Sequence, residues 1–505
     1  MDSAEPLAAR MQVRRLGVDT YQESVVYLNR ECALCKSVGF EAQSRLRVHN
    51  GERGIVATLN VVTGDWLDAS TAGLSEIAWR RLGARDGDQV TFEYAKPAES
   101  ASDLRSKVFG HALDRAQYER LLRDAIEGRL SDIELAAFIA ACAGPAFDLE
   151  ENIALTKAMV NVGKRIEWPL SPVLDKHSVG GLPGNRTTPI IVAIVAAAGS
   201  LIPKTSSRAI TSPAGTADTM ATLTKVDLDL PAMRRVVERE GGCIVWGGAV
   251  NLSPADDVLI RVERALDFDS DAQLTASVLS KKKAAGATHV VIDVPVGPTA
   301  KVRSLEAAAT LCKRMVDVGA AMGLSIAVHV CDGRQPIGRG IGPALEAWDV
   351  LRVLRNAHDA PPDLRERALD LAGKVLDFAS AAPDTGRSKA ENLLRSGAAL
   401  RKFEAICIAQ GGMCAPPVAP HRFDVVARRS GIVEDIDNRK LARLAKLAGA
   451  PRDASAGLVL HARLGAHVSV GDPLLTLHGE STGELDCARA YLDQHEELLR
   501  IGEGA

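Results

Sequence analysis

The sequence predicts a multi-domain α/β protein. A small helical domain and a large α/β domain with a mixed sheet are flanked by an N-terminal β-rich domain and a C-terminal barrel-sandwich-like domain. Three observations predict it. The hydrophobic period changes along the chain: alternation at the N-terminus, helical spacing around Tyr118, short apolar runs between helices after Val173, and glycine-punctuated strands after Pro416. A length of 505 residues provides for three or four domains and a large core. Hydrophobic residues make up 46% and aromatics only 4%, so aliphatic helices and buried strands build that core, not stacking platforms.

Residues 1–98 form the first domain. Val25-Val26-Tyr27-Leu28, Ile55-Val56-Ala57-Thr58-Leu59 and Val90-Thr91-Phe92-Glu93-Tyr94 read as strands, and Arg81-Leu82-Gly83-Ala84-Arg85-Asp86-Gly87-Asp88-Gln89-Val90 as the turn and strand of a small barrel. Residues 99–170, joined by part of 251–285, form the helical domain. Tyr118 to Ile126 has an apolar face at helical spacing, Ser131 and Glu134 make a capping box, and a third helix runs from about Leu149 to Val162. Residues 171–415 form the α/β domain, with buried strands at Cys243–Trp246, His289–Val294 and Ser325–Val330. Residues 416–505 are β-like again. The phrase Val468-Ser469-Val470-Gly471-Asp472-Pro473-Leu474 resembles the turn of a lipoyl- or biotinyl-type barrel-sandwich. A carrier needs a modifiable lysine at a hairpin tip, and Lys440 instead opens a helical segment, so this domain reads as structural.

A net charge of −3 exerts no global pull toward nucleic acid or anionic membrane. No apolar run reaches membrane-spanning length, and the N-terminus lacks a signal-peptide apolar region, so the expected setting is cytoplasmic. Nine cysteines, an odd count, read as reduced or buried thiols. Cys32 and Cys35 form a lone C-x-x-C without the second pair that structural zinc needs, and no metal site is expected.

The stretch from Asp175 to Met220 organises the chain. A basic glycine-rich loop, Lys176-His177-Ser178-Val179-Gly180-Gly181, is followed by an uncharged apolar run, Pro189 to Gly199. A hydroxyl-rich loop, Ser206 to Ser212, and a small-residue turn, Ala214-Gly215-Thr216-Ala217-Asp218, complete it. Glycines let the backbone approach an oxyanion, while amides, hydroxyls and a lysine share its charge. The order of residues is not that of a P-loop, and no dinucleotide fingerprint is present.

The residues D-K-H-S-x-G-G followed by S-S-R-A-I-T-S-P-A-G-T-A-D-T-M resemble the thymidine/pyrimidine-nucleoside phosphorylase family, and within it the branch containing the AMP phosphorylases. The resemblance spans roughly residues 100 to 500. Nucleoside-specific members carry a lysine after the third-loop aspartate; Thr219 stands there in this chain, which favours the nucleotide-type branch. N-terminal extensions of the present kind also occur in that branch.

The resemblance implies phosphorolysis of an N-glycosidic bond with inorganic phosphate as co-substrate and no cofactor. Its expected partners are a small nucleotide or nucleoside and phosphate, with neither nucleic acid nor membrane, in a homodimer or larger homo-oligomer. For phosphate, the candidates are Lys176, Ser178 and Gly180 with Gly181 beside them; Ser206 and Thr216 could complete the cradle, and His177 either orients the loop or simply packs. For the substrate, the resemblance points to Gly181, Ser207, Arg208, Ala209, Ile210, Thr211, Ser212, Thr216, Ser277 and Lys301; for Arg208, solvent exposure or a structural pair with a carboxylate is the alternative. Asp269 is the implied proton donor to the leaving base, which requires burial to raise its pKa; an exposed aspartate among Asp267, Asp269 and Asp271 is the alternative. Val296, Pro298-Thr299 and Ala221 depart from the family pattern. The segment Asp332 to Glu346 matches it and reads as support for the cleft. The expected reaction converts a nucleoside 5′-monophosphate to free base and ribose 1,5-bisphosphate. Thymidine phosphorolysis and a non-catalytic nucleotide sensor are the alternatives.

Overall fold

The computed structural model describes residues 9–37, 40–144, 147–209, 212–250, 252–266, 270–380 and 384–502. The chain divides into two compact units, Met1–Val162 with Pro254–Ser270, and Gly163–Ser253 with Asp271–Ala505.

In the first unit six strands close into a barrel in the order Ala9–Arg15, Thr71–Leu74, Val25–Asn29, Arg53–Val62, Arg45–Asn50, Gln89–Tyr94. Alternation explains the closure: Leu46 and Val48 are fully buried while Arg47 between them is exposed. Cys32 lies in this apolar core with Leu34 and Phe40, and Cys35 packs against it. Four helices follow, Ala101–Val108, Arg115–Ile126, Asp132–Ala143 and Leu149–Asn161. The capping box forms, with the Ser131 amide donating to Glu134 Oε2 at 2.7 Å and the Glu134 amide to Ser131 Oγ at 3.3 Å. Helix Pro254–Leu266 packs on Arg115–Ile126 and Asp132–Ala143, and Arg261 binds Asp132 at 2.6 Å.

The second unit is built on parallel strands. His289–Val296 lies between Ser325–Asp332 and Leu174–Ser178, parallel to both. A parallel bridge, Val173 to Leu201, leads to the pair Ile202–Ser206 and Gly242–Trp246, also parallel. Where a mixed sheet is expected, the described pairs among these five strands are thus all parallel. Parallel pairing requires crossover connections; where a buried strand is expected at Ser325–Val330, Ser325–Asp332 lies at the edge of its sheet and none of its residues is fully buried. The uncharged run forms helix Thr187–Ala197, buried from Thr187 to Ala196 and packed against helices Pro362–Phe378 and Ala398–Gln410. A helix apolar all round belongs inside a core. Antiparallel pairing falls at the C-terminal end. Gly340–Ile341, Gly457–Leu460, Pro473–Gly479 and His421–Val426 form one ladder, and His467–Val468, Gly431–Ile436 and Leu499–Gly502 another. Lys440 lies on helix Asn438–Leu447, capped by Asp437. Among the described residues no helix is long and apolar enough to cross a membrane.

Candidate active site

Three parallel strands end in the loops that the sequence singles out: Leu174–Ser178 in the glycine-rich loop, Ile202–Ser206 in the hydroxyl loop, and His289–Val296 in the turn carrying Lys301. Carboxyl ends of parallel strands are the usual place for ligands in such sheets. Asp269, Ile210 and Thr211 lie outside the described residues.

Strand pairing sets Ser178 directly beside Asp293. Lys176 is buried on the same strand, and its Nζ donates to Thr187 Oγ1 at 3.0 Å and lies 3.7 Å from Asp293 Oδ2. Burial pushes the Lys176 ammonium down to about 8, against the pull of Asp293. Asp293 is fully buried, and its Oδ1 accepts from Arg367 Nη2 at 3.3 Å and from the Cys331 thiol at 3.1 Å. Burial opposes its charge, yet Lys176 and Arg367 with the Cys331 and Ser178 hydrogen bonds hold it down at about 2. His177 falls well below its ordinary range through burial and the lysines around it, so it is neutral and adds no charge to the loop.

Gly180 and Gly181 have φ of +88° and +80°, the left-handed region where a side chain is strained. No atom lies within 4 Å of a Cβ added at Gly180, whereas one at Gly181 would collide with the backbone nitrogen of Lys301. That close approach brings Lys301, half-buried in its turn, to the glycine-rich loop.

The second and third loops fold onto each other. Asp218 Oδ2 accepts from the Ala209 amide at 2.6 Å and the Gly215 amide at 2.9 Å, and the Ala217 amide donates to the Ser207 carbonyl at 3.2 Å. Arg208 is exposed and bound to Asp218 and Asp227, both at 3.3 Å, with its guanidinium 5.0 Å over the Trp246 ring. Ser207 and Ser212 are exposed, and Ser206 Oγ donates to the Val245 carbonyl at 3.1 Å. Thr216, first in helix Thr216–Ala221, accepts at Oγ1 from Arg186 Nη1 at 2.7 Å.

Ser277 lies on helix Asp271–Ala284, where its hydroxyl accepts from Lys281 Nζ at 3.0 Å. The same helix is pinned to the first strand by Lys282, whose Nζ is 2.8 Å from Asp175; Lys204 is 3.4 Å from that carboxylate. All three charges are buried. Burial disfavours the Asp175 charge, but the two lysines hold it below the usual carboxylate range, while burial drives Lys282 down to about 7.

Asp293, His329 and Cys331 have ligand atoms within 4.8 Å of one another, as a metal site would. Arg367 contacts both Cys331 Sγ and Asp293, and Lys374 Nζ lies 2.8 Å from His329 Nδ1, so cationic groups already serve these ligands. Burial and Asp293 also push the Cys331 thiol up to about 12, far from the thiolate a metal needs.

Sequence reasoning missed Arg186, Lys204, Lys282, Asp293, Glu346 and Arg367. A signal existed for Asp293, the one charge inside the otherwise apolar strand His289–Val296. Lys204 offers the same signal in Ile202–Ser206. For Arg186, Glu346 and Arg367 the partners are distant in sequence, and no local pattern marks them.

The family described as "Glycosyl transferase family, a/b domain" matches residues 170–400, and "Glycosyl transferase family, helical bundle domain" matches residues 103–163. Residues 432–497 match "Pyrimidine nucleoside phosphorylase C-terminal domain". A Polaromonas sp. protein named "Putative thymidine phosphorylase" is 58% identical over 497 residues, covering 98% of this chain and 97% of that one. This chain belongs to the thymidine/pyrimidine-nucleoside phosphorylase family. It is an enzyme, a pentosyltransferase of the phosphorylase type. An Acidovorax sp. relative of similar name is 57% identical over 495 residues, with 98% and 96% of the two chains covered. A crystal structure of anthranilate phosphoribosyltransferase from Thermus thermophilus aligns with a TM-score of 0.51 at 19% identity, over 61% of this chain and 98% of that one. That likeness is one of fold. The family's substrates are nucleosides and phosphate, which suits the glycine, lysine and hydroxyl composition of the loops described above.

Proposed function

We propose that this family member splits a nucleoside 5′-monophosphate with inorganic phosphate, giving free base and ribose 1,5-bisphosphate. The observation that supports the reading is that the glycine-rich loop follows the strand carrying Lys176 and that the turn carrying Lys301 approaches the same loop at Gly181. Lys176 lies buried on its strand and Lys301 sits against Gly181. An attacking phosphate needs one such charge, and a 5′-phosphate needs a second. In the reaction the C1′–N bond breaks, a C1′–O bond forms to phosphate, and the base takes a proton from Asp269. Lys176, Ser178, Gly180 and Thr216 receive the phosphate. Gly181, Lys301, Ser277 and the loop Ser207-Arg208-Ala209-Ile210-Thr211-Ser212 receive the nucleotide. The transition state has oxocarbenium character, so placement of phosphate contributes more than a protein nucleophile. No cofactor enters this scheme, and a cytoplasmic homodimer or larger homo-oligomer completes it.

A second reading, thymidine phosphorolysis to thymine and 2-deoxyribose 1-phosphate, is favoured by the names of the relatives. Phosphate-dependent base release from AMP, CMP, UMP, thymidine and uridine separates the two. The nucleotide reading expects a nucleotide to be the best substrate, and preference for thymidine over every nucleotide overturns it. In the nucleotide case Lys301→Ala lowers kcat/KM for the nucleotide about ten- to 150-fold, as loss of a hydrogen bond to a charged group implies. Residual activity on the matching nucleoside stays near wild type.

A further inference from the structure

We propose that Arg186 is a positioning residue for the phosphate co-substrate, acting as a strut that holds Thr216 and its loop to the buried carboxylate of Glu346. The inference rests on the reading of Thr216 as part of the phosphate cradle. Arg186 follows the glycine-rich loop, immediately before helix Thr187–Ala197, and its side chain is 11% exposed. Its Nε donates to Glu346 Oε2 at 2.6 Å, its Nη1 to Thr216 Oγ1 at 2.7 Å and its Nη2 to the Ala214 carbonyl at 3.0 Å. Only a planar guanidinium serves three acceptors in fixed directions; a lysine is a single point donor.

Glu346 is the anchor. It lies in the first turn of helix Pro343–Leu354, is 1% exposed, and accepts from the Gly342 amide at 3.2 Å and from Thr219 Oγ1 at 3.4 Å. One carboxylate therefore gathers the end of the first loop, the helix after the third loop, and the helix start near Gly342. Burial lifts the Glu346 carboxyl to about 7 against the opposing pull of Arg186, so the guanidinium favours its charged form.

The contact with Thr216 has a directional consequence. A hydroxyl has one proton to give and two lone pairs. Because Oγ1 accepts from Arg186, its O–H points away from the guanidinium and is available to donate to an oxyanion. Arg186 thus sets the donor direction of Thr216 without itself touching phosphate.

Steady-state phosphorolysis with inorganic phosphate varied tests this, using whichever of AMP and thymidine the wild-type full-length chain cleaves. Arg186→Gln should raise KM for phosphate about tenfold or more, with KM for the nucleoside or nucleotide within about twofold of wild type. Thr216→Val should do the same, and the double variant should be no worse than either single, because both remove one oriented donor. A rise with Thr216→Val but none with Arg186→Gln overturns the strut, as does a fully additive double variant. No rise with Thr216→Val overturns the placing of Thr216 in the cradle instead. If Arg186→Gln lacks a cooperative thermal transition, Arg186→Lys decides: it keeps the charge beside Glu346 but loses the fork, so KM for phosphate should still rise, and an unchanged value overturns the proposal.

Discussion

At the scale of single residues, charge burial beneath the glycine-rich loop sets the chemistry. Lys176 is a cation below about pH 8 and neutral above it, because burial lowers its pKa against the pull of Asp293. Its charge attracts phosphate only in the protonated form, so kcat/KM for phosphate should fall as pH passes about 8. The Lys176→Ala profile should lack that limb and lie below wild type at neutral pH. A limb that persists in the variant assigns the titration to another group. Gly181 is constrained differently. Its φ of +80° and the nearness of Lys301 leave no space for a Cβ, so Gly181→Ala must displace one loop from the other. Activity should drop by at least about tenfold, since small misplacements of a reacting group are costly. Gly180→Ala meets no neighbour and should cost less.

At the scale of elements, helix Thr187–Ala197 packs against strands Ile202–Ser206 and Gly242–Trp246 and against helices Pro362–Phe378 and Ala398–Gln410. Ile191 is fully buried within it, and Ile191→Ala should destabilise by about 2–5 kcal/mol, read as a lower denaturant midpoint with unchanged slope. Helix Asp271–Ala284 is held to its strand by charge as well as packing. Asp175 neutralises two buried ammonium groups. Asp175→Asn leaves both unpaired and should cost about 3–5 kcal/mol, the usual penalty for breaking a buried pair. Lys282→Met keeps the volume and leaves one pair, so it should cost far less. The sign of its pH dependence follows from the lowered pKa. Between about pH 7 and 10 the unfolded chain binds the Lys282 proton that the folded chain has lost, so wild type gains stability with rising pH relative to Lys282→Met. A constant difference across that window removes the assigned shift.

At the scale of the whole molecule, local chemistry and long-range assembly separate cleanly. The sequence by itself determined the order of barrel, helices, α/β strands and terminal ladders, the capping box at Ser131 and Glu134, the apolar run at Pro189, and the loops at Gly180 and Gly215. Each is a short-range matter of periodicity, caps or backbone freedom, written within a few neighbouring residues. The motifs from Asp175 to Gly181 and from Ser206 to Met220 together also carried the family resemblance. Only the tertiary structure decided that the five strands Leu174–Ser178, Ile202–Ser206, Gly242–Trp246, His289–Val296 and Ser325–Asp332 pair in parallel, because pairing direction depends on how crossovers pack and not on the residues of one strand. It alone decided that Lys176 is shared with Asp293, that Asp175 serves two lysines, and that Arg186 meets Glu346 across 160 positions of sequence. A lysine or arginine reads the same on a solvated face and in a core. Burial supplies the difference, by removing water and making the partner decisive.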